Sequence, residues 1–186
     1  MRIISGKFKG KSINFIKSGA TRPLKDSVKE NIFNIISHSN LFNINIEKSN
    51  ILDLYSGIGS FGLESISRGA DKIIFVERDK NVAKVLADNL SMLSKDKDQV
   101  IVDDVATFLC KKIDQKFDIF FLDPPFSDKS FLENLELINK KKIFKKNHIA
   151  IIHREKNTAD NFSKALKPLI IRKYGRSKII FGKFLG

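Results

Sequence analysis

The sequence predicts an α/β fold built on a doubly wound, mostly parallel sheet, and two observations carry that expectation. From about residue 50 onward short apolar runs alternate strictly with helical patterns, and the run 119–122 (Ile-Phe-Phe-Leu) is apolar at every position. A strand without a polar face is covered by helices on both sides, as parallel strands are. Strict strand–helix alternation is the signature of βαβ units.

Taken in order, residues 2–15 alternate apolar side chains (Ile4, Phe8, Ile13, Phe15) with lysines (Lys7, Lys9, Lys11), and Gly6 and Gly10 stand as turn or bulge points. This pattern predicts a basic β-hairpin arm. After Thr21-Arg22-Pro23, Val28, Ile32, Ile35 and Ile36 recur at helical spacing, with Asp26 as the expected cap and Lys25 and Lys29 on the polar side. Arm and helix form a basic extension over residues 1–40, ahead of a main domain over 41–186. In that domain strands at 51–54, 73–76, 100–102, 117–122 and 149–152 alternate with helices at 61–68, 82–93, 106–113 and 131–138. Runs at 169–174 and 178–184 around Gly175-Arg176 read as a closing antiparallel hairpin, which brings the sheet to seven strands.

A chain of 186 residues suits one main domain with a sizeable core. No apolar run approaches the ~18 residues of a membrane span, and the start lacks a signal-peptide stretch, so a cytoplasmic protein with no membrane partner is expected. Cys110, the single cysteine, excludes an internal disulfide and reads as a buried helix position; His38, His148 and His153 have no zinc spacing, so no metal is expected. The net charge is 34 minus 21, or +13. So basic a balance points to a polyanion. Distribution says more than the total, because residues 1–25 carry seven basic side chains (Arg2, Lys7, Lys9, Lys11, Lys17, Arg22, Lys25) and no acid. The cluster Lys140-Lys141-Lys142 with Lys145 and Lys146 reads instead as a solvated helix end.

Two motifs sit at strand ends. At the carboxyl end of 117–122 the strand stops in Asp123-Pro124-Pro125-Phe126. Prolines cannot continue a strand, so the chain must leave the sheet where open α/β sheets bind ligands, and the paired rings stiffen the turn around Asp123. At the first strand-to-helix turn stands Asp53-Leu54-Tyr55-Ser56-Gly57-Ile58-Gly59-Ser60-Phe61-Gly62, with Glu77 ending the next strand. The glycines satisfy the dinucleotide pattern G-x-G-x-x-G, so an NAD enzyme competes as a reading. Asp53, close to where a pyrophosphate would sit, opposes it; S-adenosylmethionine (SAM) has no phosphate and carries two cationic centres, which a carboxylate attracts. Glu77 is suited to ribose hydroxyls in either case. Asp104 is placed for an adenine amino group and equally for the N-cap of the helix that follows.

The two motifs, together with Leu63-Glu64, Ser67-Arg68-Gly69-Ala70, Arg22-Pro23 and the 28–34 run Val-Lys-Glu-Asn-Ile-Phe-Asn, resemble the bacterial 16S ribosomal RNA guanine-N2 methyltransferases of the RsmD family, nearly end to end. The resemblance implies a Rossmann-like class I methyltransferase fold, SAM as cofactor, and a small-subunit rRNA or an assembly intermediate as partner of a monomeric enzyme. By the same resemblance SAM is held by Asp53, Tyr55, Ser56, Gly57, Gly59, Glu77, Arg78, Asp104, Val105 and Asp123. Asp123, Pro124, Pro125 and Phe126 form the catalytic set, with Asp123 and the Pro124 carbonyl accepting the amine hydrogens and Phe126 stacking on the base. Arg2, Lys7, Lys9, Lys11, Arg22, Lys29 and Arg68 are the expected RNA contacts. Two readings beyond the NAD enzyme stay open: an adenine-N6 or cytosine-N4 DNA methyltransferase, which shares the Asp-Pro-Pro-aromatic chemistry, and a non-catalytic RNA-binding module with a vestigial SAM pocket.

Overall fold

The computed structural model describes residues 1–16, 24–93 and 98–186. Among them, strands β1 (Asn50–Leu54), β2 (Lys72–Glu77), β3 (Gln99–Val102), β4 (Phe117–Leu122), β5 (Phe144–Glu155), β6 (Leu166–Tyr174) and β7 (Ser177–Phe184) form one seven-stranded sheet in the order β3-β2-β1-β4-β5-β7-β6. The first five pair in parallel, and β7 lies antiparallel between β5 and β6. Strand order reverses at β1, because the chain first winds outward to β2 and β3 and then returns to β4 on the other side. That reversal leaves a crevice beyond the carboxyl ends of β1 and β4, the place where doubly wound sheets bind ligands.

Helices α1 (Asp26–His38), α2 (Ser60–Ser67), α3 (Lys80–Ser91), α4 (Val105–Cys110) and α5 (Phe131–Lys141) cover the sheet. On one face α1, α2 and α3 bury Ile32, Phe33, Phe61 and Leu86 against Ile51, Phe75, Phe121 and Ile151. On the other, α4 and α5 bury Leu109, Phe131 and Leu135 against Leu52, Phe120 and Ile152. Ile119, Phe120, Phe121 and Leu122 are all buried, as a doubly covered strand requires. Three rings join the elements around the crevice: Phe61 stacks on Phe121 of β4 at 4.3 Å and on Phe33 of α1 at 5.2 Å, with 11° between planes in each case. Losing one such ring costs about 3–5 kcal/mol in a packed core.

Ile3 and Ile13 of the N-terminal arm enter the same core as α1. The arm holds one antiparallel bridge, Arg2 to Ser12, in place of the expected pair of strands; Gly6 and Gly10 do serve as its turn points, at φ 81° and 85°. Its backbone is occupied elsewhere, because the Ile4 and Ser5 N–H groups donate to Glu64 of α2 at 2.8 and 3.0 Å. Glu64 has no exposed side-chain surface and accepts an ion pair from Lys29 at 3.5 Å. Lys29, expected on the polar side of its helix, is therefore buried, where it also donates to the Arg2 carbonyl. Burial lowers the Lys29 pKa while Glu64 opposes the shift.

Other expectations change for local reasons. Lys25, not Asp26, is the N-cap of α1, and Asp26 falls in its first turn. The run of lysines divides: Lys140 and Lys141 end α5, Lys142 caps it in the left-handed region at φ 51°, and Lys145 and Lys146 lie in β5. α4 stops at Cys110 because Lys111 is already extended, and this end position leaves Cys110 exposed rather than buried. Arg22, Lys17 and Pro23 lie outside the described residues. The closing hairpin forms as expected, with Tyr174 paired to Ser177 across Gly175-Arg176.

Candidate active site

A cavity of about 690 Å³ opens at the crevice, a size that suits a small-molecule ligand. Its walls come from the loops after β1, β2, β3, β4 and β5, and they bring together Tyr55, Ser56, Gly57, Glu77, Arg78, Asp104, Val105 and the tetrad 123–126. Gly59 and Asp53, also expected to hold a ligand, are not wall residues; they build the floor beneath it. A Cβ on Gly59, whose φ is 85°, would stand 2.3 Å from Leu86, and one on Gly62 would stand 2.1 Å from Phe75. Only glycine lets α2 start this close to the sheet. Asp53 Oδ2 accepts the Gly62 N–H at 3.0 Å, while Oδ1 is buried without a protein partner among the described residues. Burial pushes the Asp53 pKa well above the usual carboxylate range, the Gly62 N–H opposes this, and Asp123 and Glu77 add to it. Asp53 is therefore turned to Gly62 rather than standing as a wall carboxylate, as the phosphate-repelling role expected of it would require.

Those walls are acidic in a basic protein. Glu77, Asp79, Asp103, Asp104, Asp123 and Glu155 line the cavity, with Arg78 and Arg176 as the cations. Glu77 Oε2 accepts the Gly57 N–H at 2.8 Å and Oε1 the Asp79 N–H at 2.9 Å, which ties the glycine turn to the end of β2. Asp104 caps α4 through the Ala106 N–H at 2.9 Å and also lines the cavity. Lys111 hydrogen-bonds Asp103 and holds its pKa below the usual range. Tyr55 is half-buried; desolvation raises its pKa, and the hydrogen bond its hydroxyl accepts from Asn134 at 2.7 Å opposes the shift.

The tetrad is held from β5 by two residues that the motif reading passed over. Parallel pairing sets Leu122 beside Ile152, so the next residues, Asp123 and His153, are neighbours at the sheet edge. His153 Nδ1 lies 2.8 Å from Asp123 Oδ1, and its ring meets Phe126 edge-on at 5.6 Å. Arg154, 1% exposed, donates to the carbonyls of Pro125 at 3.0 Å and Phe126 at 3.2 Å and pairs with Asp160. Its guanidinium also stacks over Phe131 at 4.2 Å. His153 therefore occupies one Asp123 oxygen and Arg154 occupies two carbonyls. The acceptors left at the cavity are Asp123 Oδ2 and the Pro124 carbonyl, which has no protein partner among the described residues. Apolar alignment of 117–122 with 149–152 was the available signal for this juxtaposition.

Of the expected RNA contacts among the described residues, none is a wall residue. Lys7 and Lys9 are exposed, Lys11 donates to the Met92 carbonyl at 2.7 Å, and Arg2 lies 3.8 Å from Asp26. Arg68 is engaged internally, with Nε on Glu64 at 2.9 Å and its guanidinium 4.3 Å over Phe33. From the arm only the half-exposed Phe15 reaches the cavity.

A doubly wound sheet with an antiparallel β7, an acidic switch-point cavity and an Asp-Pro-Pro-Phe edge defines a class I SAM-dependent methyltransferase. Comparison with known proteins supplies the family. The family model described as conserved hypothetical protein 95 matches residues 1–183. Ribosomal RNA small subunit methyltransferase D from Haemophilus influenzae is 35% identical over 160 residues, covering 84% of this chain and 80% of that protein. Its namesake from Buchnera aphidicola subsp. Baizongia pistaciae is 33% identical over 180 residues, 97% of this chain and 88% of that protein. A solved Haemophilus influenzae structure, 30% identical, superposes with a TM-score of 0.77 over 97% of this chain and 96% of its own. The chain belongs to this family, the RsmD methyltransferases.

Proposed function

We propose that this protein methylates the exocyclic N2 amine of one guanine in 16S rRNA, acting as a cytoplasmic monomer on the RNA or on a small-subunit assembly intermediate. One observation carries the reading: Asp123 and the Pro124 carbonyl stand as a pair of fixed acceptors beside an aromatic ring at the rim of an acidic cavity. Relatives named for small-subunit rRNA support the substrate, and the tetrad supports an amine as acceptor.

The residues fit SAM by charge. Six carboxylates against two guanidinium groups favour a ligand with two cationic centres over a pyrophosphate, each close pair contributing a few kcal/mol at an effective dielectric near 20. Glu77 would hold the ribose, Asp104 the adenine amino group, and the Gly57 turn the amino-acid end, where Asp53 stiffens the floor. When bound, SAM supplies a methyl group on a sulfonium, which the amine nitrogen takes as the C–S bond breaks and its electron pair leaves on sulfur.

The protein's part is positioning. The N2 lone pair is conjugated into the guanine ring, so it becomes available only when the amine is held and rotated. Asp123 Oδ2 and the Pro124 carbonyl accept its two N–H bonds, and Asp123 is beside the proton that must leave after transfer. Phe126 offers its ring to a base taken out of its stack, an interaction of about 1–3 kcal/mol. His153 keeps Asp123 from rotating. The test is Asp123→Ala: single-turnover methyl transfer to small-subunit rRNA is expected to vanish while SAM affinity stays within a few-fold. Near-normal transfer would reduce the tetrad to a strand stop.

A further inference from the structure

We propose that the β6–β7 hairpin is a second RNA-binding surface, in which Arg172, Lys173 and Arg176 guide the phosphate backbone of the substrate strand to the cavity. The inference rests on the ribosomal RNA reading above and extends it to a part of the chain that reading leaves without a role.

Residues 161–186 carry seven basic side chains, Lys164, Lys167, Arg172, Lys173, Arg176, Lys178 and Lys183, and no acid. The fold sets these charges against one another. Lys173 faces Lys178 across the β6–β7 ladder, Lys167 faces Lys183, and Lys178 in turn faces Arg154 of β5. Like charges directly opposite on a sheet are destabilising. None of the seven forms an ion pair among the described residues. Lys178 finds relief on the Thr158 carbonyl, whereas Arg172, Lys173 and Arg176 are exposed.

A plainer role for some of them exists. β6 is an edge strand, and lysines on an edge prevent pairing with other chains. That role needs cations on β6 alone. It leaves Lys178 and Lys183 on interior β7, and Arg176 in the turn, without a reason. Position supplies one: β7 runs antiparallel to β5, so the turn lies at the carboxyl edge, where Arg176 is itself a cavity wall residue beside Glu155 and His153. A polyanion lying along Arg172, Lys173 and Arg176 therefore leads to Asp123 and Phe126. The acidic cavity repels phosphate, so the cationic rim holds the backbone outside while a single base enters.

The experiment compares the wild type, Arg172→Gln/Lys173→Gln/Arg176→Gln, and a control of equal charge loss, Lys116→Gln/Lys140→Gln/Lys142→Gln, whose residues lie toward the opposite edge of the sheet, where β4 begins. Filter binding to a small-subunit rRNA fragment is measured over a range of salt, with SAM affinity and melting temperature recorded for all three. Removing three phosphate-binding cations is expected to lower the slope of log K against log salt by about 2, and to weaken binding at ~0.1 M salt at least tenfold. The control should keep the wild-type slope and SAM affinity, and the hairpin variant should bind SAM no more weakly than the wild type, because Arg176→Gln removes a cation from an acidic cavity. If the hairpin variant and the control behave alike, the hairpin is a solvated edge and the inference falls. If the wild type itself fails to bind rRNA, the ribosomal reading falls and takes this inference with it.

Discussion

Arg154→Met separates the stability of this protein from the geometry of its active site. The guanidinium makes two charge-assisted bonds to Asp160 at 3.2 Å and two to the Pro125 and Phe126 carbonyls at 3.0 and 3.2 Å. Methionine fills similar volume against Phe131 but leaves Asp160, whose side chain is 6% exposed, without its cation. Breaking one side of a buried pair costs about 3–5 kcal/mol. For a chain of this size that is a fall of roughly 6–20 °C in melting temperature. Adding Asp160→Asn removes the stranded charge, while Thr158 still supplies a hydroxyl to that position at 2.9 Å. The double variant should recover most of the lost stability.

It should not recover turnover. Both variants lack the guanidinium that ties the Pro125 and Phe126 carbonyls to β5; the Asp128 N–H still bonds the Pro125 carbonyl at 2.9 Å, but that bond lies within the loop and does not anchor it to the sheet. A misplacement of about 1 Å at a reacting group is worth on the order of 100-fold in rate. Scanning calorimetry and single-turnover transfer at saturating SAM and RNA, run side by side, give the two readouts. If the double variant regains stability and rate together, Arg154 is a structural residue and its brace does nothing for the acceptors.

Two further outcomes follow from buried and exposed charge. Because the folded state raises the Asp53 pKa above its ordinary 3.8, it binds a proton more tightly than the unfolded chain; stability should therefore fall as pH rises from about 4 toward neutrality. Asp53→Asn keeps an acceptor for Gly62 and should flatten that dependence, so its melting-temperature advantage over the wild type grows with pH; an advantage that shrinks with pH would contradict the assignment. Lys7→Ala/Lys9→Ala/Lys11→Ala should weaken rRNA binding and flatten its salt dependence by about 0.7–0.9 for each phosphate no longer neutralised, with SAM affinity unchanged. An unaltered slope would leave the arm as a flap clamped on Glu64.

The pattern of apolar runs made most of this fold legible, because a parallel strand covered on both faces and a helix at 3.6-residue spacing leave direct marks in the sequence. Asp123-Pro124-Pro125-Phe126 and the glycine turn were legible for the same local reason: their chemistry is contiguous. What escaped was pairing between distant segments. Nothing near Lys29 announces that Glu64, 35 positions on, and the Arg2 carbonyl would draw its ammonium into the core. Arg154 likewise reads as one more basic residue until β5 is laid beside β4. Asp53 was found as a site residue, yet its orientation toward Gly62 rather than the cavity is a product of helix–sheet packing that no motif spacing records.

Transfer of a methyl group to guanine N2 in small-subunit rRNA is read out in the product itself. Ribosomal RNA from a strain lacking this gene is treated with the purified protein and isotopically labelled SAM, digested to nucleosides, and mapped by mass spectrometry. Label is expected in N2-methylguanosine at a single position of 16S rRNA, and is expected to be absent when Asp123→Ala replaces the wild type. Label on an adenine or cytosine amine, or in no nucleoside at all, would contradict the assignment of this protein as a guanine-N2 methyltransferase.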